Sequence, residues 1–187
     1  MKNLRLVLAQ QEQSRSQRKR SRAMILGPED LPGANWIMLN ERVFRTGSNS
    51  PGGEIAERAL KAGGYTTWRE LTRGGGVGFW AQVDPWGTTE DATIAVKMAP
   101  SWEKKNPNFE VELVEELIFE GDAIPGVTSY LRQERRITSK AGAQTVTSLY
   151  GNVDEIFFAL SGLVPWNLMD EIAALQADKI RRGFTKS

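Results

Sequence analysis

Four side chains of this 187-residue chain are placed to attract attention as proton-transfer groups: Asp84, Glu70, Glu116 and Tyr150. No pair of them stands at a spacing that forces adjacency, and no nucleophile has a base beside it. The chain contains neither histidine nor cysteine. That removes the Ser-His-Asp triad, the imidazole base, the thiolate nucleophile and every thiolate or imidazole metal ligand. Acid–base work would rest on Asp, Glu, Lys or Tyr, and metal binding on oxygen donors alone. A carboxylate-based enzyme is the catalytic reading left open, and the composition points away from it. No cofactor is expected.

Aromatic residues offer a different chemistry. The six tryptophans are Trp36, Trp68, Trp80, Trp86, Trp102 and Trp166. Core packing accounts for such residues, since each indole buries a large area. The functional alternative is a cleft between sheet and helix that accepts an apolar or aromatic ligand. Trp80 and Trp86, beside the Asp84-Pro85 turn, are the candidates for its rim, and Phe157 and Phe158 for its floor. The glycines at 74–78 lead into a strand, not a helix, so they read as a hairpin turn and not as a phosphate cradle.

The elements that must position these residues follow from periodicity. A Pro/Gly-bounded turn at 26–33 precedes a strand over 35–45 and, after the Gly47–Gly53 loop, a short helix over 54–62. Tyr65–Leu71 and Val77–Val83 alternate as strands around Gly74-Gly75-Gly76. Thr89 caps the next helix, with Glu90 and Asp91 in its first turn, and Pro100 should bend or shorten it. A strand over 111–120 and one over 127–137, joined through Asp122–Gly126, set Glu116 opposite Arg132 and Glu112 opposite Arg136. Gly151-Asn152 reads as a two-residue hairpin turn, placing Val146 opposite Phe157. The strand that follows is apolar on both faces, so it should be central and covered on both. A final amphipathic helix begins after Pro165 and stops at Gly183.

The net charge of +1 conceals an asymmetry. Lys2, Arg5, Arg15, Arg18, Lys19, Arg20 and Arg22 crowd the first 24 residues against the single acid Glu12. Gln10–Arg22 holds no apolar residue, which suits a disordered or solvated helical arm. Arg15, Arg18, Lys19, Arg20 and Arg22 could grip nucleic-acid phosphates or an anionic surface, with steep salt dependence. The organisation expected is a basic flexible arm over 1–24, a single α+β domain over 25–183 and a tail over 184–187. No signal peptide, lipobox or transmembrane segment is recognisable, so a cytoplasmic location is expected.

Several landmarks in order resemble a known family. They are Asp30-Leu31-Pro32-Gly33 followed by Trp36, Thr89-Glu90-Asp91-Ala92 opening a helix, Ile124-Pro125-Gly126 before a strand, Tyr150-Gly151-Asn152-Val153, and Ala174-Leu175-Gln176-Ala177-Asp178-Lys179-Ile180. Together they resemble the actinobacterial LpqN/LpqT-like proteins, whose structural type is the PsbP-like α/β/α sandwich. The resemblance implies a mainly antiparallel, twisted sheet flanked by helices and transfers no catalytic residue. The front end departs from the family, whose members carry a signal peptide and a lipid-bearing cysteine.

Three readings result. The first is a non-catalytic binding module that recognises a protein partner or a small hydrophobic ligand through the sheet face and its Trp-bearing loops. The second is nucleic-acid or anionic-surface binding through the basic arm. The third is a carboxylate-based enzyme.

Overall fold

Strand β7 (Ile156–Leu163) explains the architecture, because almost every side chain along it is buried, whichever face it points to. A strand that is apolar on both sides is stable only with cover on both. The computed structural model, which describes residues 2–48, 53–102, 110–120, 123–140 and 142–185, places β7 fourth in a seven-stranded sheet. The remaining strands are β1 (Ile37–Arg45), β2 (Tyr65–Gly74), β3 (Val77–Pro85), β4 (Glu110–Glu120), β5 (Ser129–Ser139) and β6 (Gly142–Val153). Their order is β1-β2-β3-β7-β6-β5-β4, and every pairing is antiparallel. The helices are α1 (Lys2–Met24), α2 (Glu54–Ala62), α3 (Thr89–Trp102) and α4 (Trp166–Thr185). This is the α+β sandwich expected, with helices on both faces of one antiparallel sheet.

Each face has its own core. Phe158 and Leu160 of β7 join Phe79, Ala81 and Val83 of β3 under α1 and α4. Phe157 and Ala159 point the other way and pack with Ala92, Ala95, Val96 and Ala99 of α3. The alternation is the two-residue period of a pleated strand. Arg58 of α2 donates from Nε (3.0 Å) and Nη2 (2.7 Å) to Asp91 Oδ1, tying α2 to the first turn of α3.

Helix α1 covers the segment expected as an arm. Residues 7–13 are exposed, while the last three turns lie against the body. Ser14 Oγ meets the Tyr65 hydroxyl at 2.6 Å and Ser21 Oγ meets Thr67 Oγ1 at 2.6 Å. Buried Gln176 of α4 accepts from the Leu26 N–H and donates to the Met24 carbonyl. Those backbone groups lie just past the helix end, where intrahelical partners run out.

Four local expectations are corrected. Gly151-Asn152 is not the hairpin turn: both lie inside β6, and the turn is Asp154-Glu155, with Asp154 at φ 49°. Val153 therefore pairs with Ile156 and Asn152 with Phe157, and Val146 falls outside that hairpin's pairing. Gly151 is needed for space, since a Cβ there would stand 2.6 Å from the Phe158 ring. Asn152 is held by Ser129 N and Oγ and donates to the Asp154 carbonyl. Second, Glu112 does pair with Arg136 at 3.5 Å, but Glu116 faces Gln133. A bulge between Leu113 and Glu115 shifts the register by one residue, and Arg132 turns to Asp170 and the Trp166 ring. Third, the α3 cap is Thr88, whose Oγ1 accepts from the Asp91 N–H at 3.1 Å. Pro100 sits within the last turn of α3 without ending it before Trp102. Fourth, α4 continues past Gly183, where a side chain would strike Met24 of α1. Loop residues 49–52 and Asp122 lie outside the described residues.

The β6–β7 register makes a prediction. Gly151→Ala should destabilise the protein by about 1–3 kcal/mol through overpacking against Phe158. Urea unfolding of the variant should show a lower midpoint at unchanged slope, and an unchanged midpoint would mean that Phe158 does not pack there.

Candidate functional site

On the α3 face the described helices do not extend across the whole sheet. Between α3 and the β1 edge lies a cavity of about 340 Å³, at the lower end of the roughly 300–1,000 Å³ typical of small-molecule sites. Same-face positions of paired strands build it. Arg42 and Phe44 come from β1, Thr66 and Trp68 from β2, Trp80, Gln82 and Asp84 from β3, Tyr150 from β6, and Phe157 and Ala159 from β7. Arg42 pairs with Trp68, and Trp68 with Gln82, so the register carries one row of side chains across the sheet. Trp86, Ala99 and Trp102 close it from above. Trp86 and Trp102 stack at 5.6 Å between ring centres, and Trp102 leans on Phe157 at 6.4 Å.

Of the four aromatics singled out above, Trp80, Trp86 and Phe157 line this cavity. Trp86 is a buried wall and not a rim, being 2% exposed with its backbone N–H held by the Glu155 carbonyl. Phe158 lies outside the cavity, in the core beneath α1 and α4, because neighbouring residues on a strand face opposite ways. Trp68 and Trp102 were not foreseen as lining, nor were Arg42 and Gln82. The usable signal was Trp80-Gln82-Asp84, a polar row alternating with the apolar row Phe79, Ala81 and Val83. Four of the six tryptophans thus converge on one hollow, while Trp36 packs edge-on to Phe79 and Trp166 bonds to Glu134.

Asp84 and Tyr150, named above as proton-transfer candidates, meet here, whereas Glu70 and Glu116 do not line the cavity. Glu116 instead accepts from Gln133 Nε2 at 2.6 Å. Asp84 is buried, and the loss of water pushes its carboxyl up to about 6, against hydrogen bonds from Thr66 and Gln82 that favour the charged form. Gln82 Nε2 donates to Oδ2 at 2.7 Å, and Oδ1 has no partner. Burial also raises the Tyr150 phenol. The indole N–H of Trp86 is buried and unpartnered as well. The cavity wall therefore holds one acceptor and one donor that lack partners, both shielded from water, in an aromatic shell. Its described lining residues supply one carboxylate, where paired-carboxylate hydrolysis uses two. No cluster of three or more acidic residues able to hold a metal occurs among the described residues.

The basic residues of α1 are dispersed. Lys19, Arg20 and Arg22 line a groove between α1 and α4 with Arg69, Lys179 and Arg182, and Glu29 lies in it too. Arg22 and Arg69 both pair with Glu41, whose carboxyl they hold below its usual range despite burial. Arg18 lies over the Tyr65 ring at 4.8 Å, and Arg15 faces the exposed turn at 7–11.

No family model and no curated protein matches the chain. Among solved structures, it is similar to the extracellular domain of PknH from Mycobacterium tuberculosis, with a TM-score of 0.56 at 10% identity over 88% of this chain and 96% of that one. The Rv0999 ortholog from Mycobacterium smegmatis aligns with a TM-score of 0.44 at 10% identity, over 80% and 90% of the two chains. Cyanobacterial PsbP (CyanoP) from Synechocystis aligns with a TM-score of 0.35 at 11% identity, over 84% and 87%. The likeness to the PknH domain is one of fold. It overturns the expectation of a cytoplasmic location, since the same fold serves as an extracellular domain. Among the described residues no helix is long and apolar enough to cross a membrane.

The Asp84 carboxyl gives a pH prediction. Its folded pKa of about 6 lies above the ordinary 3.8, so the native state binds more protons than the unfolded chain between these values. Stability then falls as pH rises through this window, and the full penalty applies above it. The other titratable or charged groups among the described lining residues are Arg42 of β1 and Tyr150 of β6. Asp84→Asn should stabilise the protein at neutral pH by something on the order of 2–3 kcal/mol, with little gain near pH 4. Thermal melts of both proteins from about pH 4 to 8 check this, and a difference independent of pH would contradict it.

Proposed function

We propose that this chain is a binding module that takes a small, largely hydrophobic ligand into the cavity between the sheet and α3. The observation that carries the reading is the convergence of Trp68, Trp80, Trp86, Trp102 and Phe157 on one hollow with only a few polar groups. Small-molecule sites have this character. The open rim at Arg42, Trp68 and Trp80 also suits a protein partner that inserts an apolar side chain. The division that goes with this reading is a basic segment 1–24, a binding body 25–183 and a tail 184–187, with all lining residues in the body. Kinship with the LpqN/LpqT-like family and an extracellular setting like that of the PknH domain belong to the same proposal.

The neutral dye N-phenyl-1-naphthylamine tests it. Dye fluorescence should rise saturably while tryptophan emission is quenched, and Ala99→Phe, which fills the cavity, should weaken binding at least ~10-fold by the loss of a fitting pocket. Trp80→Ala should weaken it too. Equal dye binding by all three proteins would remove the cavity from the account.

A second reading is favoured by the groove between α1 and α4, lined by Lys19, Arg20, Arg22, Lys179 and Arg182. In it, this face of α1 holds a polyanion such as nucleic acid. Heparin retention should fall in Lys19→Glu/Arg20→Glu and decline steeply with salt. Retention unchanged by the double substitution would end that reading.

A further inference from the structure

Several acids among the described residues that are screened from water stand beside a cation. Glu41 lies between Arg22 and Arg69, Asp91 is clamped by Arg58, and Asp30 is paired with Lys179. Asp170 lies near Arg132. Asp84, 4% exposed, takes only neutral donors, and its Oδ1 takes none. Among the described residues no guanidinium or ammonium bonds to it. A buried carboxylate without a cation is costly, and such sites normally supply the missing partner or neutralise themselves.

The missing partner has room in the cavity. Asp84 is the single acid among the described lining residues, and it shares the hollow with four indoles. Aromatic faces attract cations through their quadrupole, and the attraction grows when water is excluded. The cavity mouth already shows this contact: the Arg42 guanidinium lies over the Trp68 ring at 5.6 Å. Arg42 itself is exposed, so solvent screens its charge, whereas Asp84 acts from low dielectric.

Resting on the cavity reading above, we propose that the ligand is a small organic amine, bound as its ammonium between the Asp84 carboxylate and the tryptophan walls. Its ammonium pairs with the Asp84 carboxylate once Oδ1, shielded from water in the empty cavity, turns toward it, and its hydrocarbon body fills the space along Phe157 and Trp80. Asp84 sets the charge preference, and the aromatic shell sets size and affinity.

Three isosteres test the charge: 2-phenylethylammonium, uncharged propylbenzene and anionic 3-phenylpropanoate, each competing with N-phenyl-1-naphthylamine at neutral pH. The ammonium should bind at least ~10-fold tighter than either isostere, and the preference should vanish in Asp84→Asn, a gap of about 1.4 kcal/mol or more. The folded state of that variant is checked by its melting transition. Propylbenzene or 3-phenylpropanoate binding as tightly as the ammonium, with the dye still displaced, would overturn the amine proposal and leave the cavity standing. Failure of the dye itself to bind would overturn both.

Discussion

Asp84 pays for its place at the bottom of an aromatic hollow with an oxygen that bonds to nothing, and this one desolvated carboxylate gives the α3 face its character. It stands on β3, one strand from the sheet's centre, where Trp80 and Gln82 precede it on the same face. Hydrogen bonds from Thr66 and Gln82 favour its charged form but cannot replace lost water. A strand end this polar would be unremarkable at a surface. Here Trp86 and Trp102 line the same hollow, and a residue near the strand's end becomes a buried charge.

The scaffold that keeps it there depends on β7. Phe157 belongs to the cavity side and Phe158 to the α1/α4 side, so the pleat of a single strand joins the two cores. Any slip of register would exchange them. Gly151, which makes room for the Phe158 ring, and Asn152, which ties β6 to Ser129, hold that register in place. Rigidity at this point matters for binding, since a preformed hollow avoids the ordering cost that a flexible site meets on association.

Much of this was legible in the sequence. The doubly apolar run at 156–160 announced a central strand covered on both sides, and the alternations at 65–71 and 77–83 marked β2 and β3. The site was legible only in part. Trp80, Trp86 and Phe157, named from composition and turn proximity, line the cavity, while Phe158 was named with Phe157 for one floor although neighbouring residues of a strand face opposite ways. Trp68 and Arg42 were hidden because their proximity to Trp80 comes from strand pairing, which the residues themselves do not state. The α1 packing was hidden for a related reason: Ser14, Ser21 and the Gln176 side chain make a polar seam, and a hydrophobicity pattern cannot show one.

The most direct test of the account is the ionisation of Asp84 itself, followed by carbon NMR of its side-chain carboxyl as pH is varied in the ligand-free protein. The structure predicts a midpoint at about 6, displaced upward by burial. A midpoint near the ordinary 3.8 would mean that the carboxylate is solvated or already paired, and the hollow would lose the feature that defines it.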